Sequence, residues 1–332
     1  MLKFEGYKGI LFVGDPHLWS KKPGRRTDAD FTATVLNKIN QAVDIAIKEN
    51  LYLIILGDLF HAENENNIET LTKLIRILKK LPDPCASVVG NHDRSQIFLS
   101  DDVTMSLLRE AGAIYTLEKN DIEIQMTINN KTILIGSTPY GDVIPDSVNL
   151  PEGIKKAFII WLTHENLDFG ESYPGVIPIK EIKGVSMLVN GHIHKTKKPK
   201  KVGNMVAHNP GNITRLSIDC VDHIPTVWKW IPEQGQELKP IVLNYNKKVF
   251  NILESQIEVD ITSTLVKDEL TPKQTSLFVE KMEQELLKDQ DKTDDGSYIK
   301  QNIKTLAQVM QLDSDFVNEL IEIAEEVLEE EK

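Results

Sequence analysis

Leu51-Tyr52-Leu53-Ile54-Ile55-Leu56-Gly57-Asp58-Leu59-Phe60-His61 runs six apolar residues straight into a glycine, an acid and, three places on, a histidine. Such a run reads as a buried strand that stops in a tight loop, leaving Asp58 and His61 at its end. The shape recurs three times. Residues 10–13 lead into Asp15-Pro16-His17, residues 86–89 into Gly90-Asn91-His92-Asp93, and residues 185–189 into Gly191-His192-Ile193-His194. Strands that each end in acid- or histidine-bearing loops imply an α/β sheet with one site at its carboxyl edge.

The rest of the chain supplies the elements such a sheet needs. Phe31, Val35, Ile39, Val43 and Ile47 step by four through residues 30–49, and Leu71, Leu74, Ile75 and Leu78 repeat the stripe in 68–79, which predicts two core-facing helices. Residues 121–128, the Asn129-Asn130 turn and residues 131–135 predict a hairpin. Further strands are expected near 158–162, 202–207, 213–218, 225–231 and 240–244. The pattern suggests two sheets packed together with helices outside. After about residue 253 it becomes helical, with Thr271-Pro272-Lys273-Gln274 as a helix start and an apolar stripe from Phe316 to Leu328.

Composition narrows the class. At 332 residues and 41% apolar, the chain can bury a large core and one smaller appendage. No run reaches the roughly 18 apolar residues of a membrane span, and the first residues have no signal-peptide core, so the expected address is the cytoplasm. Cys85 and Cys220 stand far apart and form no Cys-x-x-Cys, which fits reduced thiols. The net charge of −12 is unevenly spread. Residues 251–332 hold 21 acidic and 8 basic residues, net −13, so residues 1–250 carry +1. Within that near-neutral part, Lys21, Lys22, Arg25 and Arg26 follow the first motif. Lys195, Lys197, Lys198, Lys200 and Lys201 follow the last, where a polyanion would approach the site.

By type and spacing the motif residues can serve as metal ligands. Asp15 and His17, two apart on an extended loop, point the same way and can reach one ion. Asp58 has two carboxylate oxygens and can bridge two ions roughly 3.5 to 4 Å apart. Asn91 offers an amide oxygen, His192 and His194 one nitrogen to each ion, and His164 is the one histidine between the third and last motifs. This mixed nitrogen and oxygen set suits manganese first, with iron or zinc as alternatives, and not calcium. Gly-Asn-His-Asp and Gly-His-x-His seldom arise by accident in a chain of this length, so their joint appearance after strands carries weight.

In this order the motifs resemble the calcineurin-like metallophosphoesterases, whose pattern of Asp-x-His, Gly-Asp, Gly-Asn-His-Asp or -Glu, a later His and Gly-His-x-His is matched over about residues 9–250. The resemblance implies a four-layer αββα sandwich with a small helical appendage, split as a phosphoesterase domain over 1–253 and an acidic region over 254–332. It also implies two divalent ions, one on Asp15, His17, Asp58 and His194, the other on Asp58, Asn91, His164 and His192. A water shared by two such ions loses its proton near neutral pH and attacks phosphorus, while His92 steadies the developing charge or protonates the leaving oxygen. Asp93 either orients His92 or caps its loop.

Gly57-Asp58-Leu59-Phe60-His61 is similar to the branch of DNA-repair nucleases that includes the bacterial SbcD exonuclease subunit, its meiotic-recombination counterpart and phage recombination nucleases. In that branch the histidine matched by His61 helps hold the substrate. Asn209-Pro210-Gly211-Asn212, followed by Arg215, resembles the branch's Pro-Gly-Ser loop, with Asn212 in the serine's place. The expected activity is therefore DNA exonuclease or endonuclease cleavage, with Lys195, Lys197, Lys198 and Arg215 against the substrate. The expected partners are DNA and an SbcC-like, SMC-type ATPase gripped by residues 254–332, and a homodimer is left open. Hydrolysis of a small phosphodiester or a phosphoprotein is the alternative activity, and a ligand-binding scaffold the third class.

Overall fold

The parallel strands that carry the motifs sit side by side in two sheets. The computed structural model describes residues 1–95, 98–170 and 176–251. The expected helix start at Thr271, the stripe from Phe316 to Leu328 and the docking role of residues 254–332 lie outside the described residues. In chain order the elements are β1 (Leu2–Glu5), β2 (Gly9–Val13), α1 (Phe31–Glu49), β3 (Leu51–Ile55), α2 (Ile68–Leu78), β4 (Cys85–Val88), α3 (Thr104–Glu110) and β5 (Ile114–Leu117). There follow β6 (Ile122–Ile128), β7 (Lys131–Thr138), β8 (Phe158–Thr163), β9 (Met187–Asn190), β10 (Lys197–Val202), β11 (Met205–Asn209), β12 (Thr226–Trp230) and β13 (Lys239–Val242).

One sheet runs β13-β12-β2-β3-β4-β5 and the other β1-β6-β7-β8-β9-β11-β10. β2, β3 and β4 are mutually parallel, as are β8, β9 and β11, so the motif loops leave the carboxyl ends of parallel strands in both sheets. Alternation does the packing. Ile10, Phe12, Tyr52, Ile54, Ala86 and Val88 turn inward to meet Ile124, Met126, Ile133, Ile135, Ile160, Leu162, Met187 and Val189 from the other sheet. Leu11, Val13, Leu53 and Ile55 turn outward onto Val35, Ile39 and Val43 of α1 and Leu71, Leu74 and Leu78 of α2. With both faces covered, these strands read as unbroken apolar runs. The expected pair of sheets flanked by helices is what forms, and Leu167, Ile182 and Val185 cover the outer face of the seven-stranded sheet.

The helices are delimited by their own side chains. Asp30 caps α1 by accepting from the Ala33 N–H at 2.8 Å, and Asn50 ends it in a left-handed conformation. Asn67 caps α2 through the Thr70 N–H at 2.9 Å. Asn129 and Asn130, with φ of 49° and 59°, make the hairpin turn between β6 and β7. Both cysteines are buried and free.

Two strand expectations need correcting. Residues 213–218 form no strand, because the Asn212 and Ile213 N–H groups donate to His194 O and Gly14 O, 2.9 Å away in each case, and so tie two loops together instead of joining a ladder. The expected strand at 202–207 is two strands, β10 and β11, joined through Gly203, and β10 consists mainly of the lysine run that reads as loop. An edge position tolerates lysines because their heads reach water and discourage pairing with another sheet.

Trp161 locks β8, the strand that leads to His164. It is 1% exposed, pairs in register with Gly136 on β7, and donates its indole N–H to Thr138 Oγ1 at 2.9 Å. Replacing Trp161 by Ala is expected to cost about 3 to 5 kcal/mol, read from the midpoint of denaturant unfolding; an unchanged midpoint would show that the seam is held elsewhere.

Candidate metal centre

Six of the chain's eight histidines gather where the two sheets' carboxyl edges meet. Backbone bonds fix the loops first. His17 N–H donates to Asp58 O at 2.9 Å, Leu18 N–H to Leu59 O at 2.8 Å, and Gly191 N–H to Thr163 O at 2.8 Å. Among the described residues, seven non-glycine residues have positive φ, and three of them are asparagines, which tolerate it. The other four are Asp15, His17, Asp58 and His192, all motif residues. Backbone strain of this kind persists only where the surroundings over-determine it. The glycines clear the space: a Cβ on Gly90 would fall under 3.0 Å from Asp58 Oδ1 and N, and one on Gly191 equally close to His164 Nδ1 and Asp15 Oδ1.

Asp15, His17 and His164 are 0% exposed and Asp58 1%, while His61, Asn91, His92, His192 and His194 are half-buried. The donor atoms are close. His17 Nε2 and His194 Nε2 are 2.9 Å apart, His164 Nε2 and Asp58 Oδ2 3.2 Å, His17 Nε2 and Asp58 Oδ2 3.6 Å, and His192 Nδ1 and Asn91 Oδ1 3.1 Å. Ligands bound at about 2.1 Å to a shared ion stand roughly 3.0 to 3.4 Å from one another, so these separations suit a coordination sphere. Both carboxylate oxygens of Asp15 are buried without a hydrogen-bond donor among the described residues, and so is His17 Nδ1 without a partner. Buried carboxylate oxygens left this way are costly unless a cation meets them. The residues fit divalent ions.

Among the described residues, two groups of three have donor atoms within 4.8 Å of one another: Asp58, His164 and His192, and His17, His61 and His92. The first is drawn from one expected ligand set. The second places His61 and His92, expected at the substrate, beside His17.

Electrostatics follow from burial. Desolvation alone would lower the His164 pKa, but Asp58 and Asp15 outweigh it and push it up to about 10. Burial would raise Asp58, yet the charge of His164 and its hydrogen bond hold this carboxyl well below its ordinary range. Burial, helped by the Asp58 charge, lifts Asp15 to about 7. Burial lowers His17 well below its ordinary value and His192 to about 4. His164 Nδ1–H donates to Leu56 O at 2.7 Å, which aims Nε2 at Asp58.

His92 is oriented by His61. Its Nδ1–H donates to the His61 carbonyl at 2.6 Å, its backbone N–H donates to Asp58 Oδ1 at 3.0 Å, and the two imidazoles stack at 5.4 Å and 18°. Asp93 caps the loop: its carboxylate accepts from Gly90 N–H at 3.0 Å and Phe60 N–H at 3.3 Å, and the catalytic alternative, orienting His92, belongs to the His61 carbonyl instead. Burial raises the Asp93 carboxyl to about 7.

The basic residues divide. Arg215, expected at the substrate, is 2% exposed and donates to the carbonyls of Val221, Asn246 and Lys247, which makes it a support for its own loop. Arg26 is likewise buried, on the Asp28 carboxylate and Arg215 O. Lys200 Nζ donates to Asp168 O at 2.8 Å. Lys195, Lys198 and Lys201 are exposed and Lys197 is half-buried. Three neighbours of the site carry no motif and escape sequence reasoning: Trp19 packs on His61 at 4.5 Å, Tyr140 on His192 at 5.5 Å, and the Arg94 guanidinium lies 5.7 Å from the Tyr140 ring. Only adjacency to Gly90-Asn91-His92-Asp93 could have pointed to Arg94.

The family model described as calcineurin-like phosphoesterase matches residues 9–196, from the first motif strand through the last ligand motif, and the chain belongs to this family. Its members bind divalent metals and hydrolyse phosphoesters with them. Among solved structures, the chain is similar to one titled a hypothetical protein from Thermus thermophilus, at 12% identity and a TM-score of 0.42, covering 71% of this chain and 99% of that one. Among the described residues, no helix is long and apolar enough to cross a membrane.

Replacing Asp58 by Ala should abolish binding of divalent metal, whereas His92→Ala should keep the metal and lose on the order of 10²- to 10⁴-fold in turnover. Metal content and turnover on the same samples decide this, and loss of metal from the His92 variant would make His92 a ligand. His164 must give up its proton to bind an ion, so calorimetric affinity should rise with pH from 6 to 8, with proton release; flat affinity across that range would contradict the pairing with Asp58.

Proposed function

We propose that the chain is a DNA nuclease that cleaves phosphodiester bonds with two divalent ions, manganese first among them. Asp15, His17, Asp58 and His194 would hold one ion and Asp58, Asn91, His164 and His192 the other. When bound, the ions supply an activated water and neutralise charge on the phosphoryl oxygens.

The chain's own groups do the rest. His92 presents Nε2 from a ring held by the His61 carbonyl, placed to give a proton to the leaving oxygen or to steady the phosphoryl charge. The observation that carries the nuclease reading is His61 itself: three residues after Asp58, it is half-buried, stacked on His92 and packed against Trp19. A polyanion larger than one phosphate has cations to meet on both sides, Lys21 and Lys22 after the first motif and Lys195, Lys198 and Lys201 after the last, all exposed. The same reading assigns residues 254–332 to docking an SbcC-like ATPase, since the net charge of −13 over residues 251–332 disfavours DNA at close range.

Manganese-loaded protein should degrade linear, nicked or single-stranded DNA faster than a generic nitrophenyl diester; activity confined to the small diester would overturn the nuclease reading. Changing Lys195, Lys198 and Lys201 together to Gln should flatten the log–log salt dependence of DNA binding by up to about 0.9 per lost phosphate contact, and an unaltered slope would remove these lysines from the interface. Deleting residues 254–332 should leave diester hydrolysis in place and abolish co-purification with the ATPase, whereas retained binding would make the docking assignment wrong.

A further inference from the structure

Tyr140 is an aromatic side chain held in place with no core to fill. It lies in the connection from β7 to β8 and belongs to none of the three apolar clusters among the described residues. Its position is tied from two metal-motif loops. Its N–H donates to Val89 O, just before Gly90, at 3.1 Å, its carbonyl accepts from the Arg94 guanidinium, and the next residue's N–H donates to Glu165 Oε1, beside His164, at 2.5 Å. The half-buried ring rests on His192 at 5.5 Å and 37° and lies 6.3 Å from His164 at 72°, with the Arg94 Cζ 5.7 Å from its centroid.

We infer that Tyr140 is a specificity-determining residue that stacks on the nucleobase next to the phosphate under attack, so that the substrate is an unpaired nucleotide, in a single strand or a frayed end. The inference deepens the nuclease reading and rests on it. A base inside a duplex already has both faces stacked, and only an unpaired one can offer a face to a fixed ring. Stacking on an aromatic side chain is tolerant of base identity, which suits a nuclease without sequence preference. The Arg94 guanidinium lies over the ring and adds a cation there. Trp19, the aromatic on the other rim, packs against the hydrophobic core and so has a structural task already.

The test compares two small esters that release the same nitrophenolate, thymidine 5′-(p-nitrophenyl) phosphate and methyl p-nitrophenyl phosphate, on manganese-loaded protein. Wild type should prefer the nucleoside ester. Tyr140→Ala should cut that preference by about 5- to 150-fold, mainly through KM, the factor equivalent to about 1 to 3 kcal/mol per stacked base. Tyr140→Phe and Tyr140→Trp should restore it. Calorimetry gives a readout without turnover: thymidine 5′-monophosphate should bind more tightly than inorganic phosphate, and Tyr140→Ala should erase the difference. An intact preference in Tyr140→Ala overturns the inference. So does an equal loss of kcat on both esters together with lost metal, which would make the ring a support for His192. If the esters are cleaved but DNA is not, the nuclease reading fails on its own, and the ester preference still decides the role of Tyr140.

Discussion

Two carboxylates and two imidazoles lie buried together at one end of a β-sandwich, and the rest of the structure answers to that. Asp15 and Asp58 are each within reach of His164, whose positive charge cannot balance both. Asp58 takes the larger share through a 3.2 Å contact, and Asp15 is left with oxygens that no hydrogen-bond donor meets among the described residues. A carboxylate without a donor in so dry a place is expensive, and divalent cations are the physical remedy. The family to which the chain belongs is defined by that remedy.

The two sheets hold this arrangement against its own unfavourable energetics. Each contributes loops from the carboxyl ends of parallel strands, so neither sheet makes the site alone. The inter-sheet layer of Ile, Leu, Val and Met side chains fixes their spacing, because close-packed interiors do not adjust gradually. Left-handed backbone at Asp15, His17, Asp58 and His192 then aims the side chains, and Gly90 and Gly191 keep Cβ atoms out of the space the carboxylates occupy.

Around the cluster, similar residues divide by what else they touch. Arg26, Arg215 and Lys200 satisfy backbone carbonyls and acids of the fold. Lys195, Lys198 and Lys201, from the same stretches of sequence, face water. His208 and His223 bond to the carbonyls of Gln236 and Asn212 as structural histidines, whereas the other six face one another.

The ligand set and the motif-bearing strands were legible in residue order because metal chemistry admits few side chains and a buried strand announces itself as an apolar run. The stripes of α1 and α2 and the Asn129-Asn130 turn were legible for the same local reason. β1 and β10 were not, since the alternation Leu2-Lys3-Phe4-Glu5 is only four residues long and β10 is mostly lysine, nor was the path of residues 213–218, whose hydrogen bonds run to distant loops. Whether Asp93 serves His92 or its loop, and whether Arg215 meets substrate, could be settled only by seeing which donors and acceptors surround them. Tyr140 carried no signal at all. Its place beside His192 is produced by bonds that it and Gly141 make to Val89, Arg94 and Glu165, residues remote from it in the chain, and one-dimensional patterns do not record which remote segments will touch.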